Sequence, residues 1–385
     1  MKRFDFLSMS GSSRPSRTSS TSRIARNVLG AVLGAVLLAS CSSLQYYTQA
    51  AQGQLALIAD SRPVDDWLAD PATTPKLRDR LAAARQIRQY AVQHLGLPDN
   101  QSYKNYTALN RPYVVWNVVA TPELSLKPLQ WCFPVAGCVD YRGYYGKQDA
   151  QQYAHQLRAD GNDVQIGGVS AYSTLGYFND PLISTFIHYP DAELARLIFH
   201  ELSHQVVYVT GDSQFNESFA SAVEEAGVER WLERFGNPAM RANYVTYSAR
   251  KQQFLQLLLN CRRALEQSYA SGAGLAAKRA EKARLLRQLQ TDYALLKQSW
   301  GGYAGYDRFF AEPISNAHLA AIATYTDFVP AFRALLERER SFGSFYAAAR
   351  RIADLAPAER HRRLKMLGAP AEAGAGVGKV VASQH

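Results

Sequence analysis

The chain has 385 residues, 47% hydrophobic and 20% charged, which is apolar material enough for a buried core in one large domain or two modest ones. The formal net charge is +10, but six basic side chains and only one acid fall in the first 40 residues, so the rest is mildly basic. No clustered basic face remains for phosphate binding, which argues against a nucleic-acid partner; "RHRRLK" near the end reads as a solvated helix end.

Residues 1–40 read as an export signal: a basic, Ser-rich leader precedes "VLGAVLGAVLLAS", an apolar run between Asn27 and Cys41 too short to span a bilayer comfortably. Leu38-Ala39-Ser40-Cys41 resembles the bacterial lipobox, and that resemblance implies an acylated Cys41, a lipid bilayer as partner and a periplasm-facing protein of the cell envelope. Ser42 after the cysteine leans toward the outer membrane; the alternative is an ordinary signal peptide with a chance cysteine. Export puts the remaining thiols where bridges persist. Cys132 and Cys138 in "WCFPVAGC", with Pro134 and Gly137 to turn the chain, are expected to form a short-loop disulfide, and Cys261 to be a buried free thiol.

A helical lead-in over 41–75 is punctuated by Pro71 and Pro75. "TPKLRDRLAAARQIRQYAVQHLGL" then sets Leu77, Leu81, Ala84, Ile87 and Ala91 at helical spacing, with Gly96 and Pro98 as stops. "YVVWNVVA", "LQWCFPV" and "DVQIGGVSAYSTL" read as strands of a mixed or antiparallel sheet, with a helix over Lys147–Ala159. After Pro190 the pattern is helical. One helix has Asp191 as N-cap and closes at Gly211; a second runs from about Asn216 to Gly236. Long helices follow at about 240–269 and 273–299, then the irregular aromatic stretch "WGGYAGYDRFF" and a helix bent or stopped at Pro330. The fold class is α+β: a domain over 76–355, with the sheet and two key helices in 76–236, a helical part over 237–355, and an unstructured tail over 356–385.

"IFHELSHQV" carries the chemistry. His200 and His204 are spaced i, i+4, which puts both imidazoles on one helix face as shared ligation of one ion requires. Glu201 lies beside them, where a carboxylate can take a proton from a metal-bound water. The competing reading is a helix with two polar side chains, since so short a motif recurs by chance. Its apolar setting, Leu197 to Phe199 before and Val206 to Val207 after, favours burial, and Glu217 in "FNESFASAVEE" supplies a third ligand on the next helix. Three protein ligands and one open position make a catalytic zinc site; Glu217 as a mere first-turn acid is the alternative.

"HELSH" and "NESFA" together resemble the gluzincin branch of the zincin metallopeptidases, at His200, Glu201, His204, Asn216, Glu217 and Ala220, with a shorter spacing than thermolysin-like or membrane-alanyl-type enzymes. "QYYTQAAQGQLALI", "WCFPVAGCVDYRGYYG", "GGVSAYSTLGYFNDP" and "WGGYAGYDRFF" extend the likeness, from Leu44 to Leu335, to the zinc aminopeptidases inferred among bacterial lipoproteins. The resemblance implies a zincin-like fold, Zn2+ as cofactor, a peptide substrate, and hydrolysis by Glu201-assisted attack of water.

It also implies a Tyr or His donor for the developing oxyanion. Tyr325 is preferred over Tyr303, Tyr306 and His318, with packing as the alternative for each tyrosine. A strand before the metal helix is expected to pair with substrate, placing Ser170 along the peptide, and Tyr303 is a further candidate contact. Glu224, seven residues past Glu217, either binds a substrate amine or orients a histidine ligand. The glycine-alanine-methionine-glutamate-asparagine amine-binding motif is missing, so endopeptidase action stays open beside aminopeptidase action. A non-catalytic envelope lipoprotein is the rival from another class, disfavoured by the intact Glu201.

Overall fold

The computed structural model describes residues 45–133, 137–171, 173–323 and 327–368. The chain divides into two compact units, Met1–Gln52 and Gly53–His385. Of the first, the described residues 45–52 are helical; the expected signal 1–40 and Cys41 lie outside the described residues.

The second unit is α+β, with small sheets first and helices after. It opens with α1 (53–59), β1 (Arg62–Pro63), α2 (Val64–Ala69) and α3 (Pro75–Leu95). Local signals set the limits of α3: Thr74 accepts the Leu77 amide, Pro75 fills the first turn, and Gly96 ends the helix at φ +64°. Leu81, Ala84, Ile87, Ala91 and Leu95 make its buried stripe.

The β region holds β2 (Asn105–Thr107), β3 (Val115–Pro122), β4 (Trp131–Phe133), β5 (Gly137–Val139), β6 (Arg142–Tyr144), then α4 (Lys147–Ala159), β7 (Asn162–Val169) and β8 (Leu182–Ile183). β3 pairs antiparallel with both β6 and β7, so β7 is an edge of that sheet among the described strands. β2 joins β1 antiparallel and β8 parallel, and β4 with β5 forms a separate hairpin.

The helical part comprises α5 (Asp191–Ser203), α6 (Ser213–Phe235), α7 (Pro238–Ala270), α8 (Leu275–Ser299), α9 (Asn316–Ala323), α10 (Val329–Glu339), α11 (Phe342–Ala353) and α12 (Pro357–Gly368). The main core lies among α3, α5, α6, α10 and α11; a second, aromatic cluster lies between α7, α8 and the segment 300–319.

Five expectations are corrected. Pro190, not Asp191, holds the cap position of α5; Asp191 is its first residue, paired with Arg80. That helix ends at Ser203 rather than Gly211, and α6 starts at Ser213 because Asp212 caps it through the Phe215 amide at 3.1 Å. The helix expected around Pro330 is two helices, and Pro330 sits in the first turn of α10, where a missing N–H costs nothing. The tail expected from 356 is helical over Pro357–Gly368, because Leu364 and Arg360 are buried against the body of the fold.

Candidate metal centre

α5 presents His200 from its last turn, and His204 is its C-cap in αR geometry (φ −60°, ψ −21°). The two rings therefore stay one turn apart, with centroids 4.9 Å apart and planes at 83°. The chain turns back through 205–212, and the Asn216 side chain fixes the turn: it accepts the Val209 amide at 2.7 Å and donates to the Val209 carbonyl at 2.8 Å. Asp212 is held in turn by Arg360 at 2.7 Å and His361 at 2.8 Å. α5 and α6 then pack closely. A Cβ at Gly227 would stand 2.8 Å from Leu95 Cδ1 and 2.9 Å from the Phe199 ring, so a larger residue would force those side chains to shift.

The result brings Glu217 to the histidine pair. Its Oε2 lies 3.2 Å from His200 Nε2 and its Oε1 lies 3.7 Å from His204 Nε2. Donor atoms of the three residues all lie within 4.8 Å of one another. Zinc bonds of ~2.0–2.1 Å in a tetrahedron put ligand atoms about 3.4 Å apart, so the spacing suits one small ion. Two imidazole nitrogens and a carboxylate are also the donor set of many catalytic zinc sites.

Behind His200 the polar groups continue inward. Its Nδ1–H donates to Glu224 Oε2 at 2.8 Å, which leaves Nε2 directed at Glu217. Glu224 is only 1% exposed and takes Arg196 Nη1 at 3.1–3.2 Å and Lys251 Nζ at 3.5 Å. Burial opposes its charge, but Arg196, Lys251 and the His200 bond outweigh burial and hold it well below the usual carboxylate range. In the metal-free protein, burial would lower His200, yet the bonds to Glu217 and Glu224 raise it to about 10. Burial pushes His204 down to about 4, and its Nδ1 has no hydrogen-bond partner among the described residues. Burial raises Glu201 to about 7, with the Glu217, Asp180 and Glu224 carboxylates adding to the rise and His200 opposing it. Glu201, Glu217 and Glu224 thus meet the fixed charges of Arg196 and Lys251 here, and a divalent ion at the three donors would add positive charge. The donors fit a metal.

A family model described as "Putative aminopeptidase" matches residues 45–364. The chain belongs to this family. No curated protein and no solved structure matches the chain. The match to the aminopeptidase family takes in α5, α6 and every candidate site residue named from the sequence except the acylation candidate Cys41.

The other candidates fall in different places. Glu224 faces the back of His200, with its oxygens engaged by His200, Arg196 and Lys251. Ser170 follows β7, with its hydroxyl 2.8 Å from the Tyr189 hydroxyl and its carbonyl accepting from Thr185 at 2.6 Å. Tyr303 packs in the aromatic stretch beneath the Arg250 guanidinium, 4.4 Å from the ring centroid. Tyr306 stacks on Phe254 at 4.0 Å. His318 is buried, accepts the Ser315 amide at 3.1 Å and faces Asp163 and Arg158 rather than the ligands. No hydrogen bond or ion pair among the described residues links Ser170, Tyr303 or His318 to the three ligands. Tyr325 lies outside the described residues. Cys132 and Cys138 are joined by a disulfide, and Cys261 is a buried free thiol.

Arg196 and Lys251 were not singled out from the sequence. Arg196 carried a usable signal, since it precedes His200 by four residues and shares its helix face. Lys251 carried none, because it reaches Glu224 from α7 through tertiary packing alone.

Proposed function

We propose that the protein is a zinc-dependent peptidase of the gluzincin type, acting as an aminopeptidase and anchored to the outer membrane of a bacterial envelope through acylated Cys41, periplasm-facing. The observation that carries the chemistry is the convergence of His200, His204 and Glu217 with Glu201 beside them. A zinc ion held by the three would supply a Lewis acid that brings the pKa of water to ~7 and polarises a peptide carbonyl.

The chain's own residues do the rest. Glu224, kept ionised by Arg196 and Lys251, fixes the His200 tautomer so that Nε2 offers its lone pair to the ion. Glu201 takes the proton of the attacking water on its carboxylate and delivers it to the leaving amine; its burial beside the ligands keeps it out of bulk water for both steps. Tyr325 is assigned the second donor to the oxyanion, and Ser170 and Tyr303 contact the substrate, whose backbone adds along the outer edge of β7. Membrane attachment rests on the sequence up to Cys41; among the described residues no helix is long and apolar enough to cross a membrane.

An endopeptidase is the second reading. It is favoured by the engagement of Glu224, the carboxylate considered for amine recognition, with His200 and Arg196. Zinc content and hydrolysis of aminoacyl chromogenic substrates are compared for wild type and Glu201→Gln. Metal retained with hydrolysis abolished is the expected result, and equal hydrolysis in both sinks the mechanism. Free-amine against amine-blocked peptides then separates the two readings.

A further inference from the structure

The Cys132–Cys138 disulfide closes the β4–β5 hairpin, in which Phe133 pairs with Gly137. The base of the hairpin is held by α4: the Trp131 indole N–H donates to the Tyr153 hydroxyl at 2.8 Å, and the two rings meet edge to face. The far end approaches a different element. Gly137 has φ +73°, and a Cβ there would stand 2.5 Å from Thr210 Cγ2 and 2.7 Å from the Gly211 backbone nitrogen. Those two residues belong to the turn between the helix of His200 and the helix of Glu217.

That turn is pinned on either side. Asn216 holds Val209 through both backbone atoms, and Arg360 and His361 hold Asp212. Thr210 and Gly211 between them are exposed, and Gly211 itself adopts φ +78°. The backbone at Gly137 lies against this stretch. Glu217 directly follows Asn216, so displacement of the turn moves the third donor relative to the two on α5. Ligand constellations tolerate only ~0.5 Å of such movement.

We propose that the disulfide-closed hairpin is a positioning element of the metal centre: the bridge stiffens β4–β5 so that Gly137 braces Thr210–Gly211 and sets Glu217 against His200 and His204. This rests on the reading of those three residues as metal ligands. The two cysteines are only 6 residues apart, and so short a loop contributes less to global stability than a long one. Beyond that contribution, the bridge acts on the hairpin it closes, whose Gly137 lies against the turn of the centre.

Zinc affinity is measured by competition with a chromogenic chelator for wild type, C132S/C138S and G137A, together with thermal midpoints of the metal-free forms. G137A keeps the bridge but puts a methyl group where the Gly211 backbone stands. Both variants are expected to bind zinc at least about tenfold more weakly, the loss typical when support behind a metal ligand is removed, while the metal-free midpoints report separately what each change costs the fold. Unchanged zinc affinity in C132S/C138S overturns the positioning role. If that variant does not fold, unchanged affinity in G137A overturns it. A wild-type protein that binds no zinc overturns the metal reading itself and this inference with it, which separates the two failures.

Discussion

The metal centre and the α7–α8 region handle charge in opposite ways. Around α8, charges meet in pairs near the surface: Arg279 with Glu123, and Lys297 with Asp307. Beneath them the packing is apolar and aromatic, with Tyr293 stacked on Phe310 at 4.2 Å and Phe254 on Tyr306 at 4.0 Å. Around α5 and α6, by contrast, Glu201, Glu217 and Glu224 converge in the interior with two imidazoles, and Arg196 and Lys251 bring fixed positive charge to Glu224. Burying a carboxylate costs several kcal/mol unless it is compensated. A region that only had to be stable would do what α8 does. The buried carboxylates at α5 and α6 belong to a group of donors that could hold a cation.

Breaking that contrast should be hardest at the base. Glu201→Gln is expected to lower hydrolysis by about 10²–10⁴-fold, the usual range for a positioned general base, while zinc content holds. Loss of metal in this variant would move Glu201 from base to ligand and blur the division of labour in the centre.

Next is the buried pair Arg360–Asp212, whose side chains are each 6% exposed. Arg360→Met leaves the Asp212 carboxylate with His361 and the Phe215 amide only. A loss of about 3 kcal/mol in denaturant unfolding is expected, the lower end for a broken buried pair. A loss no larger than that of an exposed pair would mean α12 is not an integral part of the fold.

His318 sharpens the comparison from the other core. Burial lowers its folded pKa to about 4 from the ordinary 6.5, so the fold favours the neutral ring. The stability this contributes is complete above pH 6.5 and is lost as pH falls toward 4, amounting to about 3 kcal/mol across that window. His318→Asn, which keeps an acceptor for the Ser315 amide, should flatten that part of the stability–pH curve. An unchanged slope would assign the acid sensitivity elsewhere.

Glu224→Gln should weaken zinc binding by about 10–100-fold, since the amide cannot hold the His200 N–H as an anion does. At the small end, Arg279→Ala, at an exposed pair, should leave the unfolding midpoint unchanged. A measurable shift there would erase the distinction between the two regions.

How far the sequence could be read follows the same divide between local and tertiary causes. α3 and α4 were legible because caps, stops and apolar spacing are written in adjacent residues, as Thr74 and Gly96 illustrate. His200, His204, Glu201 and Glu217 were legible as a candidate set because helix periodicity and one turn place them. The end of α5 was not. Its apolar pattern runs on past His204, but the helix stops at Ser203 and Asn216 captures Val209 in the turn that follows. The role of Glu224 stayed ambiguous in sequence because spacing puts it on the right face without saying what stands opposite. Only the packing of α6 on α5, and of Lys251 from α7, decides that it backs His200. The helix over Pro357–Gly368 was missed because its composition is charged, and its hold on the fold comes from Asp212, far away in the chain.

The most direct test of the central claim is metal stoichiometry. Metal-free wild type and Glu217→Gln are loaded with zinc, freed of excess by gel filtration and analysed for bound metal. The account expects one zinc ion per wild-type chain and little or none in the variant. No zinc in wild type, or equal zinc in both, would contradict it.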